Sequence, residues 1–262
     1  MFEIRSRAQR LVLQLAVTLA MIPFLIPIVT MVQRSLQGRG WGNYLAVLQV
    51  PGFGRFFLNS FIIAACSIAL VYLFTMMASF GFSKLRIRSK EVYFWMMMAA
   101  LTLPEVVLIA PLYVTAVRLG MLGSFWSVIL PIAALQIPFT TLITRAFVDG
   151  IPDALFEAAR IDGASTWKTF WYVLIPLARP IAVAICILVL INAWNSYLLP
   201  KMFLINDNMG TVTLLPEFFK RQYNDDTPKV LAAAVLTAIP EVVAYISLQK
   251  QFERGMAFGA LK

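Results

Sequence analysis

The chain has 262 residues, 60% of them apolar and only 13% charged, with a net charge of +9. A typical soluble domain carries roughly 45–50% apolar and about 25% charged residues, so this composition excludes an ordinary soluble fold and fits a chain that turns apolar faces to lipid. Histidine is absent, which excludes imidazole metal sites, Ser-His-Asp or Cys-His nucleophiles and imidazole proton relays.

The length suits about six membrane spans with short loops and leaves no room for a large extra soluble domain. Lys and Arg are scattered at the ends of apolar runs rather than gathered on one basic face. They therefore point to membrane orientation and not to nucleic acid.

In chain order, Arg5, Arg7 and Arg10 precede an apolar run over Leu11–Val32. That run is longer than a signal-peptide core and lacks a small-residue cleavage site, so an uncleaved first span is expected. Further spans are expected near Phe56–Phe80, Val92–Val114, Phe125–Thr144, Ile181–Leu199 and Val230–Leu248. The result is an all-α, polytopic membrane protein of six transmembrane helices forming a single domain over 1–262. Cys66 and Cys186 both lie within apolar runs and read as small packing residues rather than a disulfide.

Alternate connections hold Arg5, Arg7 and Arg10; Lys84, Arg86, Arg88 and Lys90; Arg145, Arg160, Lys168 and Arg179; and Lys250, Arg254 and Lys262, 14 of the 22 basic residues. Short loops dominate the positive-inside rule, so the termini and the loop at 147–180 are expected in the cytoplasm. The opposite segment, Lys201–Lys229, offsets its basic residues with Asp207, Glu217, Asp225 and Asp226.

The loop between the fourth and fifth spans is polar and helix-forming. Pro152 suits a helix start, and Asp153 in the first turn complements the helix dipole. Leu155, Ala158, Ala159 and Ile161 form a short apolar stripe beside Glu157 and Arg160. Gly163 suits a left-handed terminator, and Ser165 can cap a second helix that runs through Trp167, Phe170 and Trp171 until Pro176. The product is a helix–turn–helix outside the bilayer, small-sided enough for close approach by another protein and carrying a carboxylate that can pair with a partner's arginine.

Glu157-Ala158-Ala159, followed by Asp162-Gly163 and, after a fixed interval, by Val173-Leu174-Ile175-Pro176, resembles the EAA loop of the membrane subunits of ABC importers. The likeness covers nearly the whole chain. Trp41-Gly42-Asn43-Tyr44, Asn59-Ser60, Pro111-Leu112-Tyr113, Arg118-Leu119-Gly120 and Ile151-Pro152 look like carbohydrate-type permeases. So do Asn192-Ala193-Trp194-Asn195-Ser196-Tyr197 and the closing Gln249-Lys250-Gln251-Phe252-Glu253-Arg254-Gly255. Two departures are visible: the loop ends Val-Leu-Ile-Pro where the family has Ile-x-Leu-Pro, and Ser196 stands where an acidic residue often follows the second asparagine.

The closest likeness is to the second permease subunit of maltose-type systems. It implies a bacterial or archaeal cytoplasmic-membrane protein paired with a second permease, two copies of a P-loop ATPase and an extracytoplasmic solute-binding protein. Glu157, Ala158, Ala159, Asp162, Gly163 and Pro176 would carry the ATPase coupling. This chain has no Gly-Lys pair and hence no phosphate-cradling loop. No catalysis and no cofactor are expected on it, with ATP and Mg bound by the partner subunits.

Polar groups within spans are costly and so mark function or interhelical bonding. Glu105 follows Pro104 in the third span, Gln136 lies in the fourth, and Glu241 follows Pro240 in the sixth. Asn192 and Asn195 share one face of the fifth span with Trp194 between them. Amides and carboxylates bind hydroxyls and an indole face stacks on a pyranose ring, so these residues are candidates for a sugar path. A glycerol phosphate or polyol importer has the same architecture. A secondary transporter with Glu105 and Glu241 as ion carriers is a different reading, against which no internal repeat of spans is evident. On the expected outer face, the segment from Arg34 to Arg55 and the Tyr223–Lys229 region are candidates to meet a binding protein.

Overall fold

The computed structural model describes residues 7–220 and 226–260, of which 7, 8, 207 and 251–260 are described by backbone only. Arg5, Lys262, Tyr223, Asp225 and the side chains of Gln251 to Gly255 lie outside the described residues. The described residues form helices α1 (Arg7–Ser35), α2 (Gly42–Leu48), α3 (Phe53–Lys84), α4 (Lys90–Ala99), α5 (Glu105–Arg118) and α6 (Trp126–Asp149). The short α7 (Asp153–Ile161), α8 (Thr166–Thr169) and α9 (Ile175–Leu177) follow, then α10 (Arg179–Asn195), α11 (Leu198–Phe203) and α12 (Thr227–Ala260). No strand occurs among them.

Four of these helices are long and apolar enough to cross a bilayer alone, over Gln9–Ser35, Phe53–Lys84, Trp126–Asp149 and Thr227–Lys250. Two further stretches qualify only as bent pairs: Lys90–Thr102 with Glu105–Arg118 at 104°, and Thr166–Leu177 with Arg179–Asn195 at 78°. The expected third span is thus broken rather than a single rod. Leu103 and Pro104 are extended, with ψ of 121° and 134°, because a proline lacks the N–H that would continue the helix and pushes its predecessor out of the helical region. The expected fifth span also stops short of Leu199. Ser196 is extended at ψ 123°, and α11 restarts the helix at Leu198.

The chain divides into two compact units. One comprises Met1–Phe53 and Leu215–Ala238. In it, α1 is apolar all round, with Phe24 77% and Leu15 62% exposed, as expected of a helix that lies in lipid or against another subunit. Asn43 is buried and its Nδ2 donates to the carbonyls of Ser35 (2.9 Å) and Gln37 (2.8 Å). These are acceptors that the end of α1 leaves without helical partners. Tyr44 adds a bond to the Ser35 hydroxyl at 2.6 Å and packs its ring 5.3 Å from Trp41. The Trp-Gly-Asn-Tyr run is therefore the clasp that turns the chain out of α1.

The other unit comprises Gly54–Leu214 and Ile239–Lys262. One core cluster, including Val71, Met76, Phe80, Phe147, Phe156, Phe170, Leu174 and Ile181, ties the segment α7–α9 to α3, α6 and α10. A second, including Ile63, Ile109, Ile129, Ile132, Leu199 and Phe203, joins α3, α5, α6 and α11. Between α3 and α6 runs a seam of hydroxyls: Thr75 and Thr140 bond at 2.7 Å, and Ser79 and Ser83 reach the carbonyls of Thr141 and Arg145 at 3.5 Å. Small hydroxylated residues let membrane helices approach closely while adding modest bonds. Arg145 forks onto both oxygens of Glu91 and lies 4.2 Å over the Phe94 ring, which fastens α4 to α6.

The Asn59-Ser60 pair fastens the segment after α11. Asn59 Nδ2 donates to the carbonyls of Asn208 (3.0 Å) and Gly210 (2.9 Å), and the Ser60 hydroxyl accepts the amide of Val212 at 3.0 Å. Arg55 adds a bond to Asn208, and Thr213 donates to the Ser196 carbonyl at 2.8 Å. Gly210 is required here because a Cβ would stand 2.5 Å from the Phe56 ring. Replacing Asn59 by Ala strands two backbone acceptors, one of them buried, and is expected to cost about 1–3 kcal/mol. The expected readouts are a lower melting temperature in detergent and faster proteolysis across 206–213. Asn59→Asp, which has no donor, should not rescue. Unchanged melting and cleavage would show that the clasp is dispensable.

Candidate coupling helix and polar path

All the residues singled out for coupling and for the path lie in the larger unit. After α6, Gly150 and Ile151 turn the chain and Pro152 starts α7, with Asp153 in its first turn. Gly163 sits at φ +79° and ends the helix through bonds from the Gly163 and Ala164 amides to the Arg160 and Ala159 carbonyls. Ser165 caps the next helix by accepting the Lys168 amide at 3.3 Å. That helix does not stop at Pro176. A π turn over Phe170–Leu174 widens the backbone, and the chain stays helical through Leu177. A π turn absorbs one extra residue, which lets a proline lie within the helix without breaking it.

The side that α7 turns to its own chain is Phe156, 4% exposed, its ring 6.2 Å from Phe80. Phe80 also meets Phe170 at 5.7 Å, so one aromatic socket at the end of α3 holds both α7 and the π turn. Lys84, at the last residue of α3, donates to Asp153 at 2.6 Å and to the Ile151 carbonyl at 2.7 Å, and stands 5.1 Å over the Phe156 ring. The bond from Lys84, then its charge, holds the Asp153 carboxyl below its ordinary 3.8. A depressed carboxyl stabilises above its unfolded value and loses that contribution only as pH falls through the folded one, so this tether is fully formed at neutral pH.

The apolar stripe expected on α7 faces away from this socket. Leu155 and Ile161 are 45% and 86% exposed, and Glu157 and Ala158 are exposed with them, while Ala159 is half-buried. Sequence reasoning missed Phe156. The signal was present, because a large aromatic on the far side of the stripe from Glu157 needs its own partner.

Along the spans, the structure brings together two of the candidate residues. Asn195 Nδ2 donates to Glu241 Oε1 at 2.8 Å and to the Ile191 carbonyl at 2.9 Å. Asn192 is exposed three residues earlier on α10, and Gln136 is half-buried on α6. Glu105 is exposed at the first residue of α5, beside the 104° bend. Trp194 does not share the asparagine face. It is 7% exposed and packs against Phe57, with ring centroids 6.3 Å apart, because successive helical residues point about 100° apart and the intervening position turns into the core. Both cysteines are free, and no metal-ligating cluster occurs among the described residues.

Comparison with known proteins agrees with this architecture. Residues 72–257 match the family described as "Binding-protein-dependent transport system inner membrane component". The chain is 28% identical to the melibiose/raffinose/stachyose import permease protein MelC of Bacillus subtilis, covering 98% of each chain. It is 33% identical to the sn-glycerol-3-phosphate transport system permease protein UgpE of Salmonella typhi, over 82% of this chain and 76% of that one. In fold it matches a chain in the crystal structure of a bacterial ABC transporter that imports the acidic polysaccharide alginate, with a TM-score of 0.80 at 22% identity, covering 96% of this chain and 100% of that one. The chain therefore belongs to the family of inner-membrane components of binding-protein-dependent transport systems, as a multi-pass permease subunit of an ABC importer and not an enzyme.

Proposed function

We propose that this chain forms half of the translocation path for a sugar, paired with a second permease, and that α7 seats on a partner ATPase in the cytoplasm. The observation that carries the coupling role is the two-sidedness of α7. Phe156 and Lys84 fix it to α3, and Leu155, Glu157, Ala158 and Ile161 remain available on the other side. ATP-driven closure of two ATPase subunits would pull the coupling helices of both permeases together. The socket at Phe80 would pass that motion to the spans as a rigid-body rotation between inward- and outward-open states. A docked, loaded binding protein would bias the same two-state equilibrium from the other face. Asp162 and Gly163 would set the turn that lets α7 protrude, and Pro176 with its π turn would keep the loop stiff up to the fifth span.

A sugar is favoured by the character of the polar groups. Asn192, Asn195 and Gln136 are neutral amides, Glu105 and Glu241 are carboxylates, and none of the five is a cation. Hydroxyls suit such a set, whereas a phosphate ester calls for fixed positive charge. The relatives' names span both classes, with oligosaccharides for MelC and for the diacetylchitobiose uptake permease NgcG of Streptomyces coelicolor, and glycerol phosphate for UgpE. Trp194 would back the asparagine face as packing.

Two experiments test this reading. Glu157→Ala and Gly163→Pro should leave the chain inserted and assembled with the second permease but reduce solute uptake to background; Gly163→Pro acts by denying the turn its positive φ. Glu157→Arg should also lose the co-purifying ATPase. Normal uptake by both coupling variants would overturn the proposed role of α7. Separately, Asn195→Ala should lower uptake about tenfold, as loss of a hydrogen bond to a charged group would, while the ATPase still co-purifies. An unchanged rate would remove Asn195 from the path.

A further inference from the structure

Beside the socket lies a cleft of about 340 Å³ between the α3–α4 connection and α7. Lys84, Arg86, Lys90 and Arg160 line it against only two carboxylates, Asp153 and Glu157. Lys84 and Asp153 neutralise one another at 2.6 Å. Lys90 makes long bonds of 3.4 Å to the Ser83 and Leu85 carbonyls, and its charge also acts on Asp153 and Glu91. Arg86 and Arg160 have no ion-pair partner among the described residues and are exposed. Three cations thus share one recess with a single uncommitted carboxylate, which is the inventory of a phosphate-binding site.

A second observation says where the phosphate comes from. Aromatic side chains with polar edges are exposed on the two helices that leave this region: Tyr93 and Trp95, 59% and 67% exposed, in the first turns of α4, and Trp167, Trp171 and Tyr172 at and after α8. Indole and phenol rings concentrate at headgroup depth, with one end apolar and one wet. Rings of this kind beside the cleft would bring lipid phosphates to its mouth, and basic pockets beside membrane helices at headgroup level hold anionic lipids.

We infer that the cleft lined by Arg86, Lys90 and Arg160 binds the phosphate headgroup of an anionic phospholipid, so that the lipid bridges the α3–α4 connection and α7. This goes beyond the coupling role and does not require it, because lipid binding can be read without transport.

The test uses the whole transporter complex purified in mild detergent. After exposure to mixed vesicles of phosphatidylglycerol and phosphatidylethanolamine, the lipid retained through delipidation is counted by native mass spectrometry. The wild type should keep phosphatidylglycerol in preference, and Arg86→Gln and Arg160→Gln should each weaken that retention about fivefold. Arg88→Gln, in the same basic loop but outside the cleft lining, should leave it unchanged and serves as the control for general loss of charge. Equal retention by the wild type and a variant carrying both Arg86→Gln and Arg160→Gln would overturn the site. Displacement of the lipid preference by millimolar inorganic phosphate would overturn the lipid source in favour of a soluble anion. Loss of the ATPase from the double variant with unchanged lipid retention would make the cleft a protein contact instead.

Discussion

The seat of Phe156 is the contact on which the rest of the structure's usefulness depends. A short helix between two spans has too few residues to be stable by propensity, so tertiary packing must hold it. Here one buried ring, set against Phe80, which also meets Phe170, and topped by the Lys84 ammonium, does so. The polar tether from Lys84 to Asp153 and the Ile151 carbonyl fixes the rotation of the helix about that ring. Without the seat, α7 would be a loop on a hinge, and a force applied to its exposed side would be absorbed by the loop. With it, α3 and α7 are packed as one piece.

The larger unit is otherwise built from discrete fasteners spaced along packed helices. The Asn59-Ser60 clasp holds the segment after α11, the hydroxyl seam joins α3 to α6, and the Arg145 fork joins α4 to α6. The seam differs from the other two. Its bonds to Thr141 and Arg145 carbonyls are long, and the hydroxyls of Ser67, Thr141 and Thr144 are buried without a partner among the described residues. A buried polar group left unpaired is unfavourable, and several along one interface make its register shallow rather than deep.

Much of this could be read from the sequence wherever the physics is local. A left-handed Gly163, a capping Ser165 and a first-turn Asp153 depend on neighbours within a few residues, and each sits as its chemistry requires. The long apolar runs were equally plain, since lipid demands about 20 apolar residues per helix. What the sequence withheld was partnership across distance. Asn59-Ser60 stands out as a pair, but its partners at Asn208, Gly210 and Val212 lie some 150 residues on. Pro104 marks a disturbance, but not a 104° bend. Trp194 lies between two asparagines in the sequence and away from them in the helix, and periodicity alone does not say which of its two flanking faces meets the core. For the same reason α7 looked apolar on the stripe it exposes.

The π turn at Phe170–Leu174 makes the loop sensitive to phase. One residue more or fewer in a helix rotates everything beyond it by about 100°. The π turn takes up its extra residue and so keeps the phase between α8 and α10, which a residue added elsewhere would shift as a slipped tooth shifts a gear. A deletion within 170–174 would relax the turn to a regular helix, whereas a deletion on either side of it within Thr166–Leu177 would rotate α8 by about 100° relative to α10. Length on either side of this turn is then constrained more tightly than composition.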